Sequence, residues 1–225
     1  MTRLIRGALD FQRRIFHTKE SLFGRLAKGQ RPPELFITCS DSRINPNLLT
    51  QTDPGELFIL RNAGNLVPPH GGPAGGEEAT IEYAVVALKV RDIIVCGHSH
   101  CGAVQGLLNP QALSKMPRVS EWLEHARAIL PSLADCPDAE RVDRAIEANV
   151  LLQLEHLRGH PPVAEALAAR KLRLHGWVYR FETGDVSIYN PSTGRFAALS
   201  QQARVRGLVP DESEAAGERT GEESI

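Results

Sequence analysis

Two short segments concentrate the residues of this chain that can do chemistry. Cys39-Ser40-Asp41-Ser42-Arg43 follows one apolar run, and Gly97-His98-Ser99-His100-Cys101-Gly102 follows another. His98 and Cys101 stand three positions apart and can close on one metal ion from a tight turn; Cys39, 59 positions before His98, can supply a third ligand if the two runs lie side by side. Two thiolates and an imidazole suit zinc, and three protein ligands leave the fourth position open, the arrangement of catalytic zinc. His100 competes with His98, but the His-x-x-Cys spacing and the backbone freedom of Gly97 favour His98 and leave His100 exposed or beside the site. Asp41 can either orient a water on the metal or bind the metal itself, and Arg43 can hold that carboxylate ionised through a bidentate pair. The bland alternative for Asp41 and Ser42 is a surface turn with an incidental ion pair. Cys96 and Cys136 read as small buried hydrophobes. His17, His70, His125, His156, His160 and His175 lie on scattered segments and read as surface or structural residues.

Such a constellation needs a scaffold that brings strand ends together. Leu35-Phe36-Ile37-Thr38, Leu57-Phe58-Ile59-Leu60 and Ile93-Ile94-Val95-Cys96 are apolar runs of strand length without polar alternation, which predicts strands buried on both faces. In an open parallel sheet, sites form outside the carboxyl ends of the strands, where both chemical segments fall. Between the runs, Ala79 to Leu88 reads as a buried helix. Ser120 is placed to cap a helix over Glu121 to Leu130, and Val142, Ile146, Val150, Leu154 and Leu157 form the stripe of a longer helix ended by Gly159 and Pro161-Pro162. Leu172 to Tyr179 and Val186 to Tyr189 flank Thr183-Gly184-Asp185, a hairpin expected to add one edge strand to the sheet. The fold class is therefore α/β, a mostly parallel central sheet flanked by helices, with an N-terminal helical arm over residues 1–31. In that arm Leu4, Ala8, Phe11 and Ile15 recur at helical spacing, so one helix is expected to bury an apolar stripe, and a second to cover Ser21 to Lys28 before Pro32-Pro33 stops it.

Composition narrows the classes. The chain has 225 residues, 42% hydrophobic and 24% charged, enough for one large folded domain and inconsistent with wholesale disorder. A net charge of -1 gives no global field for nucleic acid or an anionic membrane, although residues 1–31 carry eight basic against two acidic side chains, read as a solvated helix face. No apolar run reaches signal-peptide or membrane-spanning length, so a cytoplasmic location with reduced thiols is expected. Residues 1–200 form the expected catalytic domain and 201–225 a C-terminal extension, acidic and disordered from 211, where six acidic residues face one arginine.

Taken together, Cys39-Ser40-Asp41-Ser42-Arg43, Gly55-Glu56-Leu57-Phe58, Arg61-Asn62-Ala63-Gly64-Asn65 and Gly97-His98 through Cys101-Gly102 resemble the β class of carbonic anhydrases over about residues 1 to 190. The resemblance implies reversible hydration of carbon dioxide to bicarbonate and a proton by a zinc-bound hydroxide, with one zinc per chain on Cys39, His98 and Cys101, Asp41 and Arg43 as the catalytic dyad, and an active site at a dimer interface. Gln30, Phe58 and Tyr83 match the substrate-lining residues of the plant-like subclass, and the backbone N–H of Gly102 is the further substrate donor. Phe36 stands where the bicarbonate-regulated subclass carries Trp. The partners implied are carbon dioxide and bicarbonate and further copies of the chain, as a homodimer or higher homo-oligomer, with no nucleic acid and no membrane. The segment beyond Asn190 departs from the family core; similar bacterial proteins with such extensions are packaged in carbon-fixing compartments. A zinc hydrolase of carbon disulfide or carbonyl sulfide and a non-catalytic zinc-stabilised adaptor are the competing readings.

Overall fold

The computed structural model describes residues 1–73 and 75–200. The N-terminal arm comprises α1 (Thr2–Asp10), a π-helical turn (Phe11–Ile15), α2 (Phe16–Thr18) and α3 (Glu20–Leu26). Then follow β1 (Glu34–Cys39), α4 (Pro46–Thr50), β2 (Leu57–Asn62), α5 (Gly76–Glu82) continued by a π-helical turn to Leu88, and β3 (Asp92–His98). The helical half holds α6 (Gly102–Leu108), α7 (Pro117–Leu123), a 3-10 stretch from Glu124 to Leu133, α8 (Asp138–Gly159) and α9 (Pro161–Ala168), before β4 (Arg173–Tyr179), β5 (Val186–Asn190) and β6 (Arg195–Ala198).

Among the described residues the strands form one sheet in the order β2-β1-β3-β4-β5-β6. The first four pair in parallel, and β5 runs antiparallel to both of its neighbours, β4 and β6. The hairpin therefore contributes more than one edge strand: β4 pairs in parallel with β3, β5 returns antiparallel, and β6 forms the edge. The extra strand exists because Asn190 closes a second turn, accepting hydrogen bonds from Thr193 and Gly194, after which Phe196 packs its ring on Tyr189.

Alternation along the strands sorts two cores. Leu35, Ile37, Ile93 and Val95 face α8, whose Ile146, Val150, Leu154 and Leu157 are buried. That helix carries Asp138 and Glu140 in its first turn and His156 and Arg158 in its last, each opposite in sign to the helix-dipole end it sits on. Phe36, Ile94 and Cys96 point the other way into a smaller cluster with Ile44, Trp177 and Phe181. Against this face lies a cavity of about 860 Å³ whose lining includes Phe36, Leu57, Ile94 and Trp177.

Three helical expectations need correction. The helix expected over Glu121–Leu130 begins at Pro117, whose fixed φ suits the first helical position, so Ser120 lies inside it, and the chain tightens to 3-10 geometry from Glu124. The helix over 79–88 begins at Gly76 and is only partly covered: Ile81 and Ala84 are buried, but Tyr83 is 49% and Val86 59% exposed. The apolar stripe of the arm is not buried by this chain, since Leu4 is 71%, Phe11 41% and Ile15 42% exposed. Instead Phe11, Phe16 and Phe23 pack on one another. Cys96 is buried as expected, whereas Cys136 is only partly so. The expected extension, residues 201–225, lies outside the described residues.

Candidate active site

The parallel pairing of β1 with β3 sets Thr38 beside Cys96, so the chain leaves both strands at the same end of the sheet. There the ligand atoms of Cys39, His98 and Cys101, all buried, lie within 4.8 Å of one another. Gly97 serves this arrangement by its size and not by the backbone freedom expected of it. A Cβ there would stand 2.9 Å from Val150 Cγ2 and 3.1 Å from Ile146 Cγ2, so only glycine lets α8 pack against β3 at this point.

The cluster's hydrogen bonds leave its donor atoms pointed at one place. His98 Nδ1 lies 2.8 Å from the Ser99 carbonyl oxygen, which only accepts, so Nδ1 carries the proton. Nε2 is then the lone-pair nitrogen, and it is buried without a hydrogen-bond partner. Cys39 Sγ accepts the Gly64 N–H at 3.3 Å. Its thiol is lowered to about 4, first by the hydrogen bond from Cys101 and also by His98 and the Gly64 and Asp41 backbone. Cys101 is raised by the same contact with Cys39 and by burial. Two sulfur atoms in contact beside an orphaned imidazole nitrogen form a donor set that fits a zinc ion.

Asp41 lies outside that cluster because Arg43 holds both its oxygens. Arg43 Nε donates to Oδ1 at 2.9 Å, Nη2 to Oδ2 at 2.7 Å, and the Arg43 backbone N–H to Oδ1 at 2.9 Å. The Arg43 guanidinium holds the carboxyl well below the usual carboxylate range, against the opposing effect of burial. Arg43 is itself held by the His100 carbonyl oxygen at 3.1 Å and by the Phe181 ring, 4.6 Å from its central carbon. The segment does form the turn, with the Ile44 N–H donating to the Asp41 carbonyl oxygen at 3.3 Å, and the Asp41–Arg43 pair is built on it.

His100 is exposed, as expected, in a left-handed conformation with φ 54, and forms an ion pair with Glu182. Phe58 and Tyr83 meet with ring centroids 5.9 Å apart. Gly102 opens α6 directly after Cys101 and is exposed. Gln30 is exposed before β1, with no hydrogen bond to another of these residues.

Several residues that hold the site were not singled out from the sequence. Arg61 donates to the carbonyl oxygens of Cys39 (2.8 Å), Asp41 (2.7 Å) and Ile44 (3.0 Å), fixing the loop after β1. Asn149 and Gln153, one helical turn apart on the buried face of α8, bond to the Gly64 carbonyl at 3.0 Å and the Val67 N–H at 2.8 Å. Ser99 donates to Glu182 at 2.8 Å and accepts the Phe181 N–H at 2.9 Å. Phe181 and Glu182 follow the carboxyl end of β4, so the strand-end rule that located Cys39 and His98 also points to them. His70 and His160, expected on scattered segments, come together with Glu78.

Comparison with known proteins agrees with this geometry. Residues 34–186 match the carbonic anhydrase family model. A carbonic anhydrase of Pseudomonas aeruginosa is 46% identical over 211 residues, 92% of this chain and 96% of that protein. One from Synechocystis is 44% identical over 217 residues, covering 94% of this chain and 78% of that protein. The solved β-carbonic anhydrase CcaA superposes with a TM-score of 0.84 at 44% identity, covering 88% of this chain and 98% of that one. This chain belongs to the β-carbonic anhydrase family. The enzyme is a carbonate dehydratase, a lyase that interconverts carbon dioxide and bicarbonate. The relatives favour neither the sulfur-analogue hydrolase nor the adaptor reading. β-Carbonic anhydrases are zinc enzymes, and the Cys39, His98 and Cys101 donor set is of the kind zinc requires. No helix among the described residues is long and apolar enough to cross a membrane.

Proposed function

We propose that Cys39, His98 and Cys101 hold one zinc ion per chain and that Asp41, fixed by Arg43, orients the nucleophile that attacks carbon dioxide. Zinc held by these three residues would lower the pKa of a bound water from 15.7 toward the value of about 7 known for a three-histidine zinc site, and so would supply a hydroxide nucleophile. The protein's part is orientation. An ionised Asp41 accepts the nucleophile's O–H, which turns an oxygen lone pair toward the substrate carbon. Arg43 makes that acceptor permanent by bonding both carboxylate oxygens. Phe58 and Tyr83 present an apolar wall that suits carbon dioxide, and Gln30 with the Gly102 N–H donates to the developing bicarbonate oxygens.

A homodimer or higher homo-oligomer completes this reading. The uncovered stripe of the arm and the half-exposed Tyr83 and Val86 are apolar surface that a second copy can cover. Solved β-carbonic anhydrases from Sordaria macrospora, 30% identical with a TM-score of 0.73 over 88% of this chain and 95% of that one, are tetrameric. A cytoplasmic location agrees with four free thiols. Nothing among the described residues supports packaging in a carbon-fixing compartment.

The observation that carries the catalytic reading is the paired Asp41 and Arg43 beside a buried Cys-His-Cys set, because a purely structural zinc site has no use for that dyad. Stopped-flow carbon dioxide hydration, paired with metal analysis of the same sample, tests it. Zinc near one equivalent of thiolate site with rapid hydration is expected; zinc without hydration would refute the catalytic roles.

A further inference from the structure

Away from the thiolate centre, three segments distant in sequence converge on one carboxylate oxygen. His70 lies in the loop after β2, Glu78 in the first turn of α5, and His160 in the joint between α8 and α9. Glu78 Oε1 stands 2.6 Å from His70 Nδ1 and 3.9 Å from His160 Nδ1. The three ligand atoms lie within 4.8 Å of one another. We propose that His70, Glu78 and His160 form a second metal site, for a divalent ion of the zinc and nickel type.

The buried member sets the chemistry. The His160 side chain is 3% exposed, and its Nε2 lies 2.9 Å from the Pro68 carbonyl oxygen. A carbonyl only accepts, so Nε2 carries the proton and Nδ1 keeps its lone pair. That nitrogen stands 3.9 Å from the Glu78 oxygen, with no direct hydrogen bond joining the two. A cation fits between them, and an imidazole whose far nitrogen donates to a backbone carbonyl is the usual outer support of a metal-binding histidine. Ligand atoms around a tetrahedral ion with bonds near 2.1 Å stand about 3.4 Å apart. The 3.9 Å pair lies near that spacing, and the 2.6 Å pair is a hydrogen bond from His70 Nδ1 to Glu78 Oε1 whose proton passes to solvent when an ion takes its place and the 45% exposed His70 rotates.

Two imidazoles and a carboxylate contain no thiolate, which suits Zn2+, Ni2+ or Co2+ and is poor for soft ions. A cavity of about 580 Å³, lined by His70, Glu78, Glu82 and Tyr83 among others, has room beside the cluster for an ion and its remaining waters. Bound there, the ion would cross-link the loop after β2, α5 and the α8–α9 joint, a clamp on the helix that leads into Tyr83.

Full-length enzyme shown by elemental analysis to carry one zinc per chain is titrated with Ni2+ by isothermal calorimetry, beside His70→Ala, Glu78→Gln and the control His17→Ala. Wild type and the control should take up one equivalent that each of the other two variants binds about tenfold to a hundredfold more weakly. Co2+ entering the same site should raise no sulfur-to-cobalt charge-transfer band, and Ni2+ should raise the melting temperature of wild type but of neither variant. His70 and Glu78 are the chosen positions because His160 is buried and its loss would confound binding with folding. Absence of uptake by the zinc-loaded wild type, or equal uptake by the wild type and both variants, would overturn the site. So would a thiolate band accompanying the added equivalent. None of these readouts depends on hydration activity.

Discussion

Arg43 grips Asp41 fork to fork and so holds a carboxylate next to a metal-ligand cluster without letting it join. The two bonds of 2.9 and 2.7 Å occupy both oxygens, and the cluster of Cys39, His98 and Cys101 is complete without Asp41. From the sequence Asp41 could be an orienting acceptor or a fourth ligand; the pairing of both its oxygens with Arg43 supports the proposed open site.

Asp41→Asn should therefore retain zinc while hydration falls by about 10²–10⁴-fold, because an amide cannot serve as a pure acceptor in that geometry. Metal content by elemental analysis and rate by stopped flow, on one preparation, check this. Parallel loss of zinc and rate would place Asp41 on the metal instead.

The pH profile follows from the same pair. Asp41 has a folded pKa held below its unfolded value by Arg43. The pair's stabilising effect is thus complete above the unfolded carboxylate pKa of about 3.9 and is lost only as pH falls toward the lower folded value. Between neutrality and mild acid Asp41 stays ionised. No steep acid inactivation deepened by bicarbonate is expected, in keeping with Phe36 in place of Trp; rate profiles with and without added bicarbonate measure it.

Cys39→Ala should lose most of the zinc, and Cys96→Ala should keep it, since Cys96 points into the smaller core with Phe36 and Ile94. Arg61→Ala, which removes the clamp on the Cys39–Ile44 loop, should weaken zinc affinity by about tenfold to a hundredfold with the ligands intact. Competition with a chelator ranks the three variants.

Gly97→Ala should destabilise the fold by about 1–3 kcal/mol, because its methyl group must displace Val150 and Ile146 on α8. Thermal denaturation reads the loss. An unchanged melting temperature would mean that α8 yields without strain.

Replacing Leu4 and Ile5 together by Glu should lower the oligomeric state seen by light scattering, since both are largely exposed on an arm with no buried residue in α1. An active monomer in the unaltered enzyme would refute the assembly reading.

What the sequence determined by itself was local or periodic. Unbroken apolar runs at Leu35 and Ile93 required strands buried on both faces, whereas the same expectation failed at Leu57, whose strand β2 lies at the sheet edge with only Leu60 buried; the five-residue stripe from Val142 to Leu157 required a long amphipathic helix. Residue type and spacing then put two thiols, an imidazole and a carboxylate after strand ends. Tertiary structure decided the remainder, because it depends on contacts between residues far apart in the chain. The register of β1 on β3 unites Cys39 with His98. The Arg43 fork on both Asp41 oxygens is the contact on which the proposal of Asp41 as orienting acceptor rests. Polar Asn149 and Gln153 inside an apolar stripe gain their meaning only when Gly64 and Val67 arrive beside them. His70, Glu78 and His160 could not be read as a group from sequence, since up to 90 positions separate them and no periodicity connects them; only the packing of α5 against the α8–α9 joint brings one carboxylate oxygen to both rings.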